Sequence, residues 1–248
     1  MVTLGVIPAR YASTRFPGKP LIDIAGKSMI RRVYEQAKAA GMLDAVVVAT
    51  DDQRIFDHVQ AFGGQAVMTR EDHLSGTDRC AEVAQQFMDS QWIVNIQGDE
   101  PFIDPDHIDL LVTTLQGNVD ITIATLMQPI TDMALVHNPN VVKVIADIQG
   151  HALYFSRSPI PYIRSGAWDG AVQSGHFHRH LGLYGFKREA LLAVTQLSPG
   201  RLEQLESLEQ LRWLEQGFSI GLATVDTASP GIDVPEDVAR AIAWAEKR

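Results

Sequence analysis

The chain has 248 residues, 46% hydrophobic and 21% charged, an ordinary balance that excludes a disordered or collagen-like polymer. Its 21 Lys plus Arg against 30 Asp plus Glu give a net charge of -9, which argues against a nucleic-acid footprint and its need for excess positive charge. The charge is uneven, because residues 1–32 hold six cations (Arg10, Arg15, Lys19, Lys27, Arg31, Arg32) and one acid, Asp23.

In chain order, β-branched runs alternate with amphipathic segments. Residues 3–7 read as a strand. The apolar run ends at Pro8 and Arg10, too short for a signal h-region or a membrane span, and no later run approaches span length, so no membrane insertion is expected. Residues 28–40 read as a helix ended by Gly41, 45–49 as a strand, and 52–62 as a helix ended by Gly63 and Gly64. Residues 65–68, 77–88, 92–96 and 105–115 continue the alternation. Val46-Val47-Val48 and Trp92-Ile93-Val94 are the unbroken apolar runs of strands buried on both faces, so the expectation is an α/β fold with a mostly parallel, doubly wound sheet. From about 127 to 218 the alternation loosens into strand-like pieces at 141–146, 152–155 and 181–186 and one long helix at 202–216. We therefore expect a single domain over residues 1–248 with an inserted subdomain at about 127–218. Residues 219–224 and 235–247 close the chain as strand and helix, with Pro235 at a tolerated first-turn position. The single cysteine, Cys80, has no internal partner and no activating neighbour, which fits a reduced, cytoplasmic protein.

Ligands of such sheets bind beyond the carboxyl ends of the strands, so the residues after each strand carry the chemistry. After the first comes a loop with three prolines and Gly18, in which Arg10, Arg15 and Lys19, four to five apart, can converge on one polyanion such as a triphosphate. The plainer alternative is a solvated surface loop. Gly26-Lys27-Ser28 imitates the end of a P-loop, but Leu21 stands where that motif needs its first glycine. Asp99, beside Gly98, is placed to hold Mg²⁺, and Asp233 offers a second carboxylate before the last helix; each can equally serve as a cap. Ser75-Gly76-Thr77-Asp78 opens a helix, where backbone N–H groups meet phosphate or ribose, or where Ser75 merely caps. His176, His178 and His180 alternate as on one face of a strand; His180 leads into residues 181–186 and is the candidate for substrate contact. In the expected helix 202–216, Leu202, Leu205, Leu208, Leu211 and Leu214 cover more than half the circumference, which suggests core packing plus a dimer partner. Glu209 falls on the face of Leu202 and Leu205, where a carboxylate requires either a polyhydroxylated substrate or a salt bridge.

Seven collinear segments together carry a specific signal: residues 8–21 (PARYASTRFPGKPL), 49–52 (ATDD), 73–79 (HLSGTDR), 95–101 (NIQGDEP), 152–157 (ALYFSR), 179–185 (RHLGLYG) and 208–212 (LEQLR). In these the chain resembles the 3-deoxy-manno-octulosonate (KDO) cytidylyltransferases, the CMP-KDO synthetases of lipopolysaccharide assembly. The resemblance implies a Rossmann-like sheet of the glycosyltransferase-A type, homodimeric, using CTP, KDO and Mg²⁺. It implies that Arg10, Ser13, Arg15 and Lys19 hold the triphosphate, and that Ser75, Gly76 and Gln97 surround the cytidine. Asp99 and Asp233 would bind Mg²⁺. Arg157, His180, Tyr184, Glu209 and Gln210 would line the sugar pocket, within a subdomain that also supplies dimer contacts; Arg164 has looser flanks. Catalysis would fall to Asp99, Asp233, Lys19 and Arg15. Sialic acid, an 8-amino analogue of KDO, and CTP binding without catalysis are the competing readings. Both candidate metal acids are present, which speaks against the last.

Overall fold

A computed structural model describes residues 2–12, 16–227, 229–232 and 234–246. The chain runs through β1 (Val2–Ala9), the small hairpin β2 (Asp23–Ile24) and β3 (Lys27–Ser28), α1 (Met29–Ala39), β4 (Ala45–Thr50), α2 (Gln53–Ala61), β5 (Ala66–Met68), α3 (Gly76–Gln86), β6 (Ser90–Asn95) and α4 (Pro105–Gly117). It continues with β7 (Ile123–Pro129), α5 (Met133–His137), β8 (Lys143–Ala146), β9 (Ala152–Ser156), α6 (Trp168–Gln173), β10 (His178–Lys187), α7 (Arg188–Val194), α8 (Arg201–Glu206), α9 (Gln210–Glu215), β11 (Ile220–Thr224) and α10 (Asp237–Ala245). Two compact units result: Met1–Asp109 with Lys187–Thr195 and Ser229–Arg248, and Leu110–Phe186 with Gln196–Ala228. No helix among the described residues is long and apolar enough to cross a membrane.

The first unit is a parallel sheet in the order β6-β1-β4-β5. Leu4, Val6 and Ile7 of β1 and Val47 and Val48 of β4 are fully buried, as unbroken apolar strands require. The helices start where polar caps stand. The Ser28 hydroxyl accepts from Arg31 N before α1, Asp52 accepts from Arg54 N before α2, and Ser75 and Asp78 close a reciprocal capping box on α3. From β1 the chain steps outward through β4 and β5, then returns across β1 to form β6. Right-handed crossovers in both directions put α3 on the face opposite α1 and α2. The reversal leaves a crevice between the carboxyl ends of β1 and β6, the place where doubly wound sheets bind ligands.

In the second unit β11 runs parallel to β7, while β7, β10, β8 and β9 pair antiparallel in that order. Residues 123–129, not anticipated as a strand, form β7. Two further expectations are corrected. The helix expected over 202–216 is two helices, α8 and α9, separated by Ser207 in the left-handed region at φ 52. Arg212 on α9 grips Glu203 on α8 with two guanidinium nitrogens, at 2.6 and 2.8 Å, and folds the pair together. The leucine stripe is consequently divided: Leu208 and Leu211 are buried, whereas Leu205 is 71% exposed. Glu209 thus does not share a buried helix face with Leu205.

Candidate active site

In the first unit, the crevice between β1 and β6 is a cavity of about 250 Å³ lined by Pro8, Ala9, Arg10, Lys19, Pro20, His73, Ser75, Gly76, Arg79, Gln97, Gly98 and Asp99. Six of the expected nucleotide and metal residues therefore meet here: Arg10, Lys19, Ser75, Gly76, Gln97 and Asp99, with Gly98 between the last two. Ser13, Arg15 and Asp233 lie outside the described residues.

The loop after β1 is held from its ends. Gly18 donates its N–H to the Tyr11 carbonyl at 2.9 Å, and a Cβ on Gly18 would stand 3.1 Å from the Tyr11 ring at φ 71, so this turn needs glycine. The Tyr11 ring lies under the Arg54 guanidinium, 3.4 Å from centroid to Cζ, and Arg54 is itself paired with Asp52. The loop thereby brings Lys19, 80 residues away in sequence, to Asp99. Lys19 Nζ donates to Asp99 Oδ2 at 2.8 Å and to the Ile232 carbonyl at 2.7 Å. Ile232 N in turn donates to the Asp99 carbonyl at 3.0 Å, so the segment preceding position 233 is fastened beside Asp99.

Across the cavity, Ser75 acts as a cap: its Oγ accepts from Asp78 N at 3.1 Å while Asp78 Oδ2 accepts from Ser75 N at 3.0 Å. Accepting one bond leaves the hydroxyl proton for a ligand. A Cβ on Gly76 would come within 3.3 Å of Pro8 Cγ, which shows how tightly α3 approaches β1. His73 and Arg79 also border the cavity, although sequence reasoning did not single them out. His73 is bonded to Glu82. Arg79 is 3% exposed and bonded to Thr69 and to Asp51, the latter at 2.9 Å. Both fall in the segment 73–79 that carries the resemblance, and Arg79 stands four residues after Ser75, one helical turn on.

The five candidate sugar residues all belong to the second unit. A bulge in β10 sets two of them. Leu181 pairs with Leu126 and Tyr184 with Thr125, so two extra residues of β10 are looped out and His180 and Tyr184 become next neighbours on one face. In a regular strand residues four apart lie about 13 Å from one another; here the rings of His180 and Tyr184 are 5.2 Å apart. Thr125 Oγ1 lies 3.0 and 2.8 Å from the bulge carbonyls of Leu181 and Leu183 and 2.9 Å from His180 Nε2. Its one proton serves a carbonyl, so Nε2 is the donor and Nδ1 is left as an acceptor. The imidazole is enclosed by Phe155, Tyr184 and Thr125 although the residue keeps some exposed surface, and this burial pushes its pKa down to about 3. It is a neutral hydrogen-bonding group. Burial, and then the charge of Glu209, push the Tyr184 phenol well above its ordinary value, and its buried hydroxyl has no hydrogen-bond partner among the described residues. That orphaned donor suits a ligand hydroxyl.

Gln210 is buried at the start of α9 beside half-buried Glu209. Arg157 is differently engaged. Its Nε, Nη1 and Nη2 donate to the carbonyls of Glu206, Pro139 and Ser207 at 2.6, 2.9 and 3.3 Å, leaving two of five N–H groups for a ligand. The Arg157 carbonyl is held at 2.6 Å by fully buried Lys143, which also donates to Asn138 and Val141. Among the described residues no cluster of three His, Cys, Asp or Glu is arranged for a metal.

A family model described as cytidylyltransferase matches residues 4–220. A 3-deoxy-manno-octulosonate cytidylyltransferase of Syntrophotalea carbinolica is 51% identical over 97% of both chains, and one of Parabacteroides distasonis is 49% identical over the whole of both. A CMP:2-keto-3-deoxy-manno-octonic acid synthetase solved with CTP superimposes with a TM-score of 0.93 at 42% identity, covering 100% of this chain and 99% of the other. The likeness to a Leptospira borgpetersenii cytidylyltransferase, TM-score 0.64 at 17% identity and covering 88% of that chain, bears on the fold alone. With about half its residues identical to theirs along its full length, the chain belongs to the 3-deoxy-manno-octulosonate cytidylyltransferase family.

Proposed function

We infer that this chain transfers the cytidylyl group of CTP to KDO, giving CMP-KDO and pyrophosphate for lipopolysaccharide assembly. The observation that carries the reading is the 51% identity over 97% of both chains to a relative bearing that name. The site is consistent with it chemically. Arg10 and Lys19 bring positive charge to the crevice at the switch point, where the triphosphate would lie. The anomeric hydroxyl attacks the α-phosphorus, its proton is released, and the bond to the pyrophosphate oxygen breaks. Such transfers depend mainly on in-line positioning and charge neutralisation.

Asp99 fits a Mg²⁺ ligand: it is a partly exposed carboxylate at a strand end, facing a cavity that would hold phosphate oxygens. Asp233 would be the second carboxylate, and Arg15 and Ser13 further triphosphate contacts. A bound Mg²⁺ neutralises phosphate charge and lowers the pKa of a coordinated hydroxyl. In the second unit Tyr184 donates its hydroxyl proton to the sugar, while neutral His180, Gln210 and Glu209 offer hydrogen bonds to its hydroxyl groups. The remaining N–H groups of Arg157 would face the sugar carboxylate. A homodimer in the cytoplasm completes the proposal.

The test is to incubate purified protein with CTP and Mg²⁺ and, separately, KDO, 8-amino KDO or sialic acid, and to follow pyrophosphate. Release is expected with KDO, and Asp99→Asn is expected to be silent under the same conditions. No release with any sugar acid refutes the enzymatic reading; faster release with another acid reassigns the substrate.

A further inference from the structure

We propose that Arg79 reads the pyrimidine edge of the nucleotide and makes the site selective for cytosine over uracil. Arg79 borders the cavity, yet it is 3% exposed, so its charge is confined to the wall of the crevice. It is fixed from two sides: Nη2 donates to Asp51 Oδ2 at 2.9 Å, and Nη1 donates to the Thr69 hydroxyl. Asp51 directly follows β4 and Thr69 directly follows β5. A guanidinium carries five N–H groups, all donors, in a planar fork, and these two bonds use two of them.

Position along the sheet then selects the part of the nucleotide involved. In the order β6-β1-β4-β5, Asp99 follows β6 and Asp51 follows β4, two strands away. Neighbouring strands are about 4.8 Å apart, so β4, which ends at the anchor of Arg79, and β6, which leads to Asp99, lie about 10 Å apart with β1 between them. Phosphates gathered near Lys19 and Asp99 therefore leave the base, the far end of the nucleotide, on the side of Asp51, Thr69 and Arg79. There a donor-only fork meets the ring. Cytosine presents two adjacent acceptors, O2 and N3. Uracil presents O2 beside an N3–H donor, which a guanidinium can only oppose. The carboxylate of Asp51 keeps the fork oriented, so a uracil cannot be accommodated by rotating Arg79 without breaking a buried ion pair.

The proposal rests on CTP being the nucleotide of this site. Its test is equilibrium binding, without sugar, of CTP, UTP, 3-deazacytidine triphosphate and inorganic pyrophosphate to the wild type, Arg79→Lys and Arg79→Met. The wild type is expected to prefer CTP to both UTP and the 3-deaza analogue by roughly 10- to 100-fold, the value of a good bidentate pair. Both substitutions are expected to shrink those ratios below about threefold, in line with loss of that pair, while pyrophosphate binds as before. A merely structural Arg79 would weaken all nucleotides alike and keep the ratios, which overturns the proposal. Equal binding of CTP and 3-deazacytidine triphosphate by the wild type overturns it too, even if the variants fail to fold. Pyrophosphate binding without any cytidine nucleotide binding would instead refute CTP as the ligand.

Discussion

Replacing Gly98 by alanine probes the junction on which the crevice depends. An added Cβ would stand 2.7 Å from the Pro8 carbonyl oxygen and 3.7 Å from Ile7 Cγ2. An ordinary carbon–oxygen contact is no shorter than about 3.3 Å, so roughly 0.6 Å must open between the ends of β1 and β6. The obstruction is backbone and cannot rotate away. Nor can β1 yield easily, since Pro8 pairs with Ala49 on its other side and Val6 accepts from Ile96 N at 2.9 Å. Overpacking of this kind costs about 1–3 kcal/mol, which in a chain of this size lowers the melting temperature by roughly 2–12 °C. Pro8, Gly98 and Asp99 all line the cavity, so the same displacement should raise KM for CTP. Thermal unfolding and CTP kinetics of Gly98→Ala, compared with Gly117→Ala, provide the assay. Gly117 ends α4 with nothing within 4 Å of its would-be Cβ, and alanine there should be neutral or stabilising by up to about 1 kcal/mol. The reasoning is refuted if the two variants melt together and Gly98→Ala keeps the wild-type KM.

Two further expectations concern the second unit. The imidazole of His180, its pKa pushed down to about 3 by burial, takes up no proton near pH 5, whereas the unfolded chain does so below its ordinary value of 6.5. Its contribution to stability is complete above pH 6.5 and is lost as pH falls toward 3, about 2 kcal/mol between 6.5 and 5, or about 1–2 allowing for its partly exposed surface. Urea midpoints at pH 7.5 and 5 should therefore fall further in the wild type than in His180→Asn; equal falls would contradict the burial. Lys143→Met removes the donor to three carbonyls at a fully buried position, including that of Arg157, and should cost about 2–4 kcal/mol in denaturant stability. In kinetics it should raise KM for the sugar acid more than KM for CTP, and an unchanged ratio would dissociate Lys143 from the sugar site.

What could be read from the sequence was local. Unbroken apolar runs identified β1, β4 and β6, and Ser28, Asp52 and Ser75 marked helix starts, because a strand's burial and a cap's bond are decided within a few residues. The position of Lys19, Gly76, Gln97 and Asp99 after strands was equally legible, since the alternation of strands and helices implies where ligands bind. The leucines at three-residue spacing misled for the same reason. They describe one long helix or two short ones equally well, and the choice falls to Ser207 and to the pairing of Arg212 with Glu203. Three features needed the whole fold. Lys19 meets Asp99 only because the chain doubles back across β1 to form β6. His180 and Tyr184 become neighbours only through a register shift that their own strand does not encode without its partner β7. Arg79 acquires its fixed orientation from Asp51, 28 residues earlier, and from Thr69 on the next strand connection. Nearest-neighbour propensity writes elements into a sequence, but strand order and register are settled by burial between distant segments, and the catalytic and selective contacts arise from that order.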